Sequence, residues 1–335
     1  MIVVLGVAGW VGWKFFTDTT KMFGGTAGGN FIAAFAPSDL TSQDHHVNIL
    51  ITGDSTGDPG HQGADLTDTI MVMSVDTQRH TAALVSIPRD LWVSIPGYGH
   101  QKINFAYHWG NTTHFHQTGY PSGGMGLLEK ILYTDLGIPV DYYAMVHYAA
   151  LKNAVNAVGG ITVCIHSPDP RGLYDPNIAP IDGGPLKLAN GCQTLNGQTA
   201  LNLARARGDS PYSYGFPLSD FNRTQHQRQI VLALKNKVLS AGVLTNPITL
   251  GKVLDAIGNN VHTDLTISQA RRIGQLMITI PSNKIQSLSF LSTDVHLVRS
   301  YTTTSGLSAL IPTAGYADYS NIRAYLQRAG IEPGS

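Results

Sequence analysis

Arg89 and Asp90 follow a β-branched run, Ala83-Leu84-Val85-Ser86-Ile87, that stops at Pro88. The run reads as a buried strand, and ligands collect beyond the carboxyl ends of strands in open α/β sheets. Lys102 and Asn104 follow in a short polar segment. Arg205 and Arg207 stand two apart in Ala204-Arg205-Ala206-Arg207, and in an extended segment both point to one side. Arg223 and Gln227 are one helical turn apart, near the amino end of a predicted helix. Free N–H groups and the helix dipole favour anions there. Guanidinium groups grip phosphate oxygens in bidentate fashion. Arg89, Lys102, Arg205, Arg207, Arg223 and Gln227 together suit a donor set for a pyrophosphate; the alternatives are that Arg89 pairs with a nearby carboxylate and that Arg205 and Arg207 are a solvated edge. Among the carboxylates, Asp54 ends one predicted strand and Asp68 begins the next, so both reach one site. Mg²⁺ is held by one or two carboxylates plus phosphate oxygens and water; the candidates are Asp54, Asp58, Asp65 and Asp68, and Asp54 and Asp68 are the pair placed to share one site. His226 reads as a structural residue, and Arg228 as a surface or ion-pair residue.

The elements that must position these groups alternate between periods of two and 3.6. Strands are predicted at 47–51, 69–75, 83–87, 142–146, 161–165 and 285–291. Helices are predicted at 124–136, 148–158, 197–203, 222–241 and 265–279. Asp76-Thr77-Gln78-Arg79-His80 reads as a turn, which makes strands two and three a hairpin and the sheet mixed. The expected fold is therefore α/β, a central mixed β-sheet flanked by helices. The tail from about 300, rich in Thr, Ser, Gly and Ala, says little.

Composition narrows the class. Hydrophobic residues make up 43%, ample for a core, and charged residues only 13%, where a quarter is usual. Net charge is zero, which excludes a broad basic surface for nucleic acid. No GxxxxGK[ST] loop, GxGxxG turn or GxSxG elbow is present. Residues 1–16 are apolar apart from Lys14 and carry Trp10 and Trp13 near their end. They are too short for a full span of about 20 residues but read as part of a membrane signal anchor. Residues 17–45, with Gly24-Gly25-Thr26-Ala27-Gly28-Gly29 at their middle, read as a linker. The cysteines, Cys164 and Cys192, read as a disulfide in an exported chain, with two buried thiols as the alternative. A bridge there stabilises by about 3 kcal/mol in the chain-entropy model.

These pieces, in this order, resemble the LytR-CpsA-Psr family of cell-wall glycopolymer ligases. The matching segments include Asn48-Ile49-Leu50-Ile51-Thr52-Gly53-Asp54, Thr67-Asp68-Thr69-Ile70-Met71, Ser86-Ile87-Pro88-Arg89-Asp90 and Lys102-Ile103-Asn104-Phe105-Ala106-Tyr107. They continue through Val158-Gly159-Gly160-Ile161-Thr162-Val163, Leu195-Asn196-Gly197-Gln198-Thr199-Ala200-Leu201, Ala204-Arg205-Ala206-Arg207 and Asp220-Phe221-Asn222-Arg223. The resemblance implies a catalytic domain over 46–298, with 299–335 as a carboxyl-terminal extension. It implies an apolar tunnel for a polyprenyl chain, and a single-pass membrane protein with its catalytic domain on the extracytoplasmic face. The implied reaction moves a glycopolymer phosphate from a polyprenyl-pyrophosphate carrier to a hydroxyl of peptidoglycan. By motif position, Arg89, Asp90, Arg205 and Arg207 are catalytic, and Asp90 lies beside the acceptor or orients an arginine. Arg89, Lys102, Arg205, Arg207, Arg223 and Gln227 bind the pyrophosphate, while Asp54 and Asp68 hold Mg²⁺. Two alternatives share the site: a polyprenyl-pyrophosphate hydrolase, and a non-catalytic lipid-carrier binding or regulatory protein of the wall. The chain departs from the family pattern twice. Asp54 directly follows Gly53, one residue early, and Leu66 stands where the family often has arginine.

Overall fold

The structure, a computed structural model, describes Leu40 and residues 45–54, 65–178, 183–217, 220–240, 260–292 and 294–331. The expected membrane anchor at 1–16, nearly all of the expected linker and the loop after Asp54 lie outside the described residues. In chain order the elements used below are β1 (His46–Asp54), β2 (Thr67–Asp76), β3 (Thr81–Ser86), β4 (Trp92–Ile95) and β5 (Gly99–Lys102). Next come α1 (Phe105–Thr112), α2 (Gly124–Ile131), β6 (Tyr142–His147), α3 (Tyr148–Ala157), β7 (Ile161–Ile165), β8 (Leu173–Asp175) and β9 (Leu186–Leu188). They are followed by β10 (Gly191–Leu195), α4 (Gly197–Arg205), α5 (Asp220–Ser240), β11 (Val261–Thr263) and α6 (Ile267–Thr279). The last are β12 (Ile285–Ser289), β13 (Val298–Thr302), β14 (Ser308–Pro312) and α7 (Ser320–Arg328). The chain divides into two compact units, each with its own core.

The first unit takes in 45–54, 65–145 and 272–331. Its sheet runs β6-β1-β2-β3-β12, with β1, β2 and β3 antiparallel and β12 parallel to β3, so the sheet is mixed as the turn at 76–80 implied. From Ile70 to Asp76 every residue of β2 is buried, the pattern of a strand covered on both faces. Met125, Leu127, Leu128 and Ile131 of α2 pack with Leu50, Val72 and Val85 of the sheet. Helices α1 and α2 meet through glycines: a Cβ on Gly124 would lie 2.3 Å from the Tyr107 carbonyl oxygen. Only glycine permits that approach, which seats α2 against the sheet.

The region after 298 is part of this core. Val298, Ile322, Leu326 and Ile331 are buried with the sheet residues, and the Tyr319 hydroxyl donates to the Trp92 carbonyl at 2.7 Å. Sequence reading missed β13, β14 and α7 because their apolar residues are scattered among Thr, Ser and Gly. It also missed the β4–β5 hairpin, whose strands have four residues each.

The second unit takes in 146–178, 183–217, 220–240 and 260–271. Strands β7 and β10 pair antiparallel with Cys164 opposite Cys192, and the two form a disulfide. Val163, Leu195, Ala200, Leu203 and Ile230 form the core of this unit. Helix α4 extends to Arg205, two residues beyond the predicted end, so Arg205 and Arg207 do not share an extended segment. The chain turns extended only at Ala206, with φ −62° and ψ 132°. Arg228, read as a surface or ion-pair residue, is not at the surface: it is buried, with 8% exposure.

His226 on α5 is buried and packs edge-on against Phe216, centroids 5.7 Å apart. Burial pushes its pKa down from 6.5 to about 4. Between those values the unfolded chain binds a proton that the folded chain refuses, so stability is full above pH 6.5 and falls as pH drops toward 4. The thermal midpoint of the wild type should fall over that window, and the fall should be smaller in His226→Gln. Parallel midpoint-versus-pH curves for the two proteins would contradict this.

Candidate active site

In the first unit β3 carries the chain to the sheet edge, where Ile87 N–H still donates to the Ile70 carbonyl at 3.0 Å. Pro88 cannot extend the ladder, because it has no N–H. Arg89 and Asp90 therefore leave the sheet together. The Arg89 guanidinium donates from Nη1 to Asp68 Oδ1, and its Nε lies 3.7 Å from Asp90 Oδ2. The other Asp90 oxygen, Oδ1, lies 2.7 Å from Lys102 Nζ. Backbone bonds fix this quartet. Asn104 N–H donates to the Arg89 carbonyl at 3.2 Å, and Thr67 N–H donates to the Asn104 carbonyl at 3.3 Å. Three segments distant in sequence are thus tied at one edge, each beside a charged member of the site.

The four side chains are 19–25% exposed, enough to meet a ligand while solvent is largely kept away. Two cations face two carboxylates, so the quartet is close to neutral. Asp54 stands on the neighbouring strand. A bulge between Gly53 and Asp54 puts Asp54 opposite Thr67, next to Asp68 in the chain. Without the bulge Asp54 would sit opposite Asp68, so the early carboxylate in the sequence coincides with a local shift in register. The Asp54 side chain lies outside the described residues.

The remaining candidates lie in the second unit. Arg205 closes the last turn of α4, with its guanidinium 5.2 Å from the Tyr148 ring centroid. A cation is favoured at a helix carboxyl end and over an aromatic face. Arg207 follows in a loop held by Asp175, whose Oδ2 accepts from Arg207 N–H at 2.8 Å and from Gly208 N–H at 3.0 Å. Arg223, 5% exposed, lies near the start of α5. Gln227, one turn later, donates from Nε2 to the Ala204 carbonyl at 3.0 Å, joining α5 to the end of α4.

The structure thus brings together Arg89, Asp68, Asp90 and Lys102, and it places Arg205, Arg207, Arg223 and Gln227 around the meeting of α4 and α5. Sequence reading missed Asp175 and Tyr148 as supports. Asp175-Pro176-Asn177 reads only as a turn, and Tyr148 only as a helix start. Among the described residues no cluster of three or more His, Cys, Asp or Glu forms a metal cage. Also among them, no helix is long and apolar enough to cross a membrane.

Residues 15–310 match the model of the LytR_cpsA_psr family. A polyisoprenyl-teichoic acid–peptidoglycan teichoic acid transferase TagU of Enterococcus faecalis is 31% identical over 68% of this chain and 64% of its own. A probable cell wall biosynthesis protein LcpB of Corynebacterium glutamicum is 32% identical over 70% of this chain and 48% of its own. The chain therefore spans less than two thirds of the length of these relatives. Among solved structures, the LytR-CPS2A-psr family protein YwtF (TagT) with bound octaprenyl pyrophosphate lipid shares the fold. Its TM-score is 0.59 at 20% identity, over 87% of this chain and 92% of that one.

Proposed function

This chain belongs to the LytR_cpsA_psr family, and from that premise we propose that it is a phosphotransferase joining a glycopolymer to peptidoglycan. The observation that carries the proposal is the quartet at the end of β3, in which Asp68 and Asp90 hold Arg89 with its guanidinium pre-aimed. The donor is a glycopolymer linked through pyrophosphate to a polyprenyl carrier. An acceptor hydroxyl oxygen attacks the phosphorus on the polymer side. The bond from that phosphorus to the bridging oxygen breaks, and polyprenyl phosphate leaves. A phosphodiester forms between polymer and wall, and the hydroxyl proton passes to solvent or a nearby base.

In this reading Arg89, Lys102, Arg205, Arg207, Arg223 and Gln227 bind the pyrophosphate. Arg89, Arg205 and Arg207 stabilise charge as it moves to the leaving phosphate. Asp90 orients Arg89 and Lys102, whose cations it touches on opposite oxygens. The near-neutral quartet cannot by itself balance a pyrophosphate, and Asp68 offers a hard oxygen beside the Asp54 position. Those residues fit Mg²⁺, which takes few carboxylates and completes its shell with phosphate oxygens and water. When bound, Mg²⁺ would neutralise phosphate charge. An apolar tunnel for the polyprenyl chain and a membrane anchor at 1–16 belong to the same proposal.

The test is covalent. The full chain, a polyprenyl-pyrophosphate-linked glycopolymer and soluble glycan-strand fragments should yield fragments whose mass has grown by the polymer and one phosphodiester. Unmodified fragments after complete mixing would refute the proposal.

A further inference from the structure

One face of the β4–β5 hairpin carries, besides Lys102, residues that have no part in the chemistry described so far. Residues opposite one another in an antiparallel pair share a face. Trp92 is opposite Lys102 and Ser94 is opposite His100, while Val93 and Ile95 point the other way. Val93 and Ile95 are fully buried, so the face of Trp92, Ser94, His100 and Lys102 is turned outward. Two tyrosines complete it. The Tyr316 ring is 5.2 Å from His100 and 5.9 Å from Tyr301, and its hydroxyl accepts from Trp92 Nε1 at 2.9 Å. Tyr301 lies 6.4 Å from Trp92. Tyr316 remains 51% exposed.

We propose that this aromatic face is a stacking subsite for the glycan strand of the acceptor, holding it beside Lys102 and Asp90. The identity of the acceptor rests on the phosphotransferase reading. The argument is one of chemistry and continuity. The axial C–H groups of a pyranose ring carry slight positive charge and pack on the negative face of an aromatic ring. Ser94, His100 and the tyrosine hydroxyls supply the donors and acceptors that sugar hydroxyls and N-acetyl groups need. The outward residues of the hairpin carry one cation, Lys102, and the Asp90 carboxylate already engages it. The hairpin's outward face is thus mainly aromatic and neutral polar, which suits the sparsely charged amino-sugar strand of peptidoglycan better than a polyanionic polymer. His100 is two residues from Lys102 on the same face, about 7 Å along the strand. A sugar on the aromatic rings thus lies within one or two units of the phosphate-binding quartet.

The probe is a soluble tetrasaccharide of alternating N-acetylglucosamine and N-acetylmuramic acid, titrated into the full chain by calorimetry. Tyr316→Ala should raise its Kd about tenfold, the loss of one aromatic contact face. Tyr316→Phe, which keeps the ring, should retain most of the affinity. Octaprenyl pyrophosphate should bind all three proteins equally. No tetrasaccharide binding by the wild type, or equal Kd in wild type and Tyr316→Ala, overturns the subsite. A loss in Tyr316→Ala that falls on a teichoic acid polymer and not on the tetrasaccharide overturns the acceptor assignment. Tyr316-dependent tetrasaccharide binding without any transfer activity would instead sink the phosphotransferase reading and leave the subsite standing.

Discussion

Arg89→Ala lowers the kcat/KM of transfer by about 100- to 1,000-fold, the expected effect of removing one pre-aimed donor to developing charge. The guanidinium is fixed before any ligand arrives, by Asp68 on one side and Asp90 on the other. That pre-organisation is what a flexible cation would have to supply during the reaction. Alanine also removes one of the quartet's two cations while both carboxylates stay, which repels an incoming pyrophosphate. The fold should survive. Arg89 lies outside β3, and the backbone bond from Asn104 to its carbonyl does not use the side chain. Arg89→Lys should recover only part of the rate, because an ammonium cannot form the bidentate contact. Steady-state assays of polymer transfer, with circular dichroism to check folding, decide the matter. A well-folded Arg89→Ala protein with the wild-type rate would remove Arg89 from the site.

The second large effect is on stability. Loss of the Cys164–Cys192 bridge, whose cysteines are 28 residues apart, should destabilise the second unit by about 3 kcal/mol in the chain-entropy model. For a unit of this size that corresponds to roughly 6–12 °C in the thermal midpoint. The bridge closes a segment built from short strands, β8 and β9, and rich in Pro, Gly and Asp. Such a segment buries little for its length and gains most from a closed loop. Asp175, which supports the Arg207 loop, lies inside it. The double variant Cys164→Ala/Cys192→Ala should therefore lose transfer activity at temperatures where the wild type keeps it. Differential scanning calorimetry reads the shift, and identical midpoints would show that the bridge contributes nothing.

The parts of this molecule that were legible in the sequence are those with dense local signals. The run from Ile70 to Val75 is apolar apart from Ser74 because β2 is covered on both faces, and the 76–80 turn named its partner strand. Arg89 was legible because Pro88 ends a strand immediately before it. The glycines of α2 were seen only as part of a helix, since nothing local shows that Gly124 must lie against Tyr107. The tail hid its role for a similar reason: Val298, Ile322 and Leu326 are scattered apolar residues, and the cluster they join includes Leu50, Val72 and Val85, more than two hundred residues away. That Asp68 is the carboxylate Arg89 meets was also illegible. Sequence assigned one to phosphate and the other to metal, and only the β2–β3 register brings them into contact. The aromatic face of β4–β5 combines residues from 92 to 316, a separation no window along the chain can span.

The most direct measurement of the central claim follows polyprenyl phosphate. The full chain is mixed with a synthetic polyprenyl-pyrophosphate glycan and Mg²⁺, with and without peptidoglycan glycan fragments. Release that requires the acceptor, one polyprenyl phosphate for each phosphodiester formed, is the result expected of a phosphotransferase. Equal release without acceptor would make the protein a hydrolase, and tight binding of the donor with no release would make it a carrier-binding protein; either result contradicts the account.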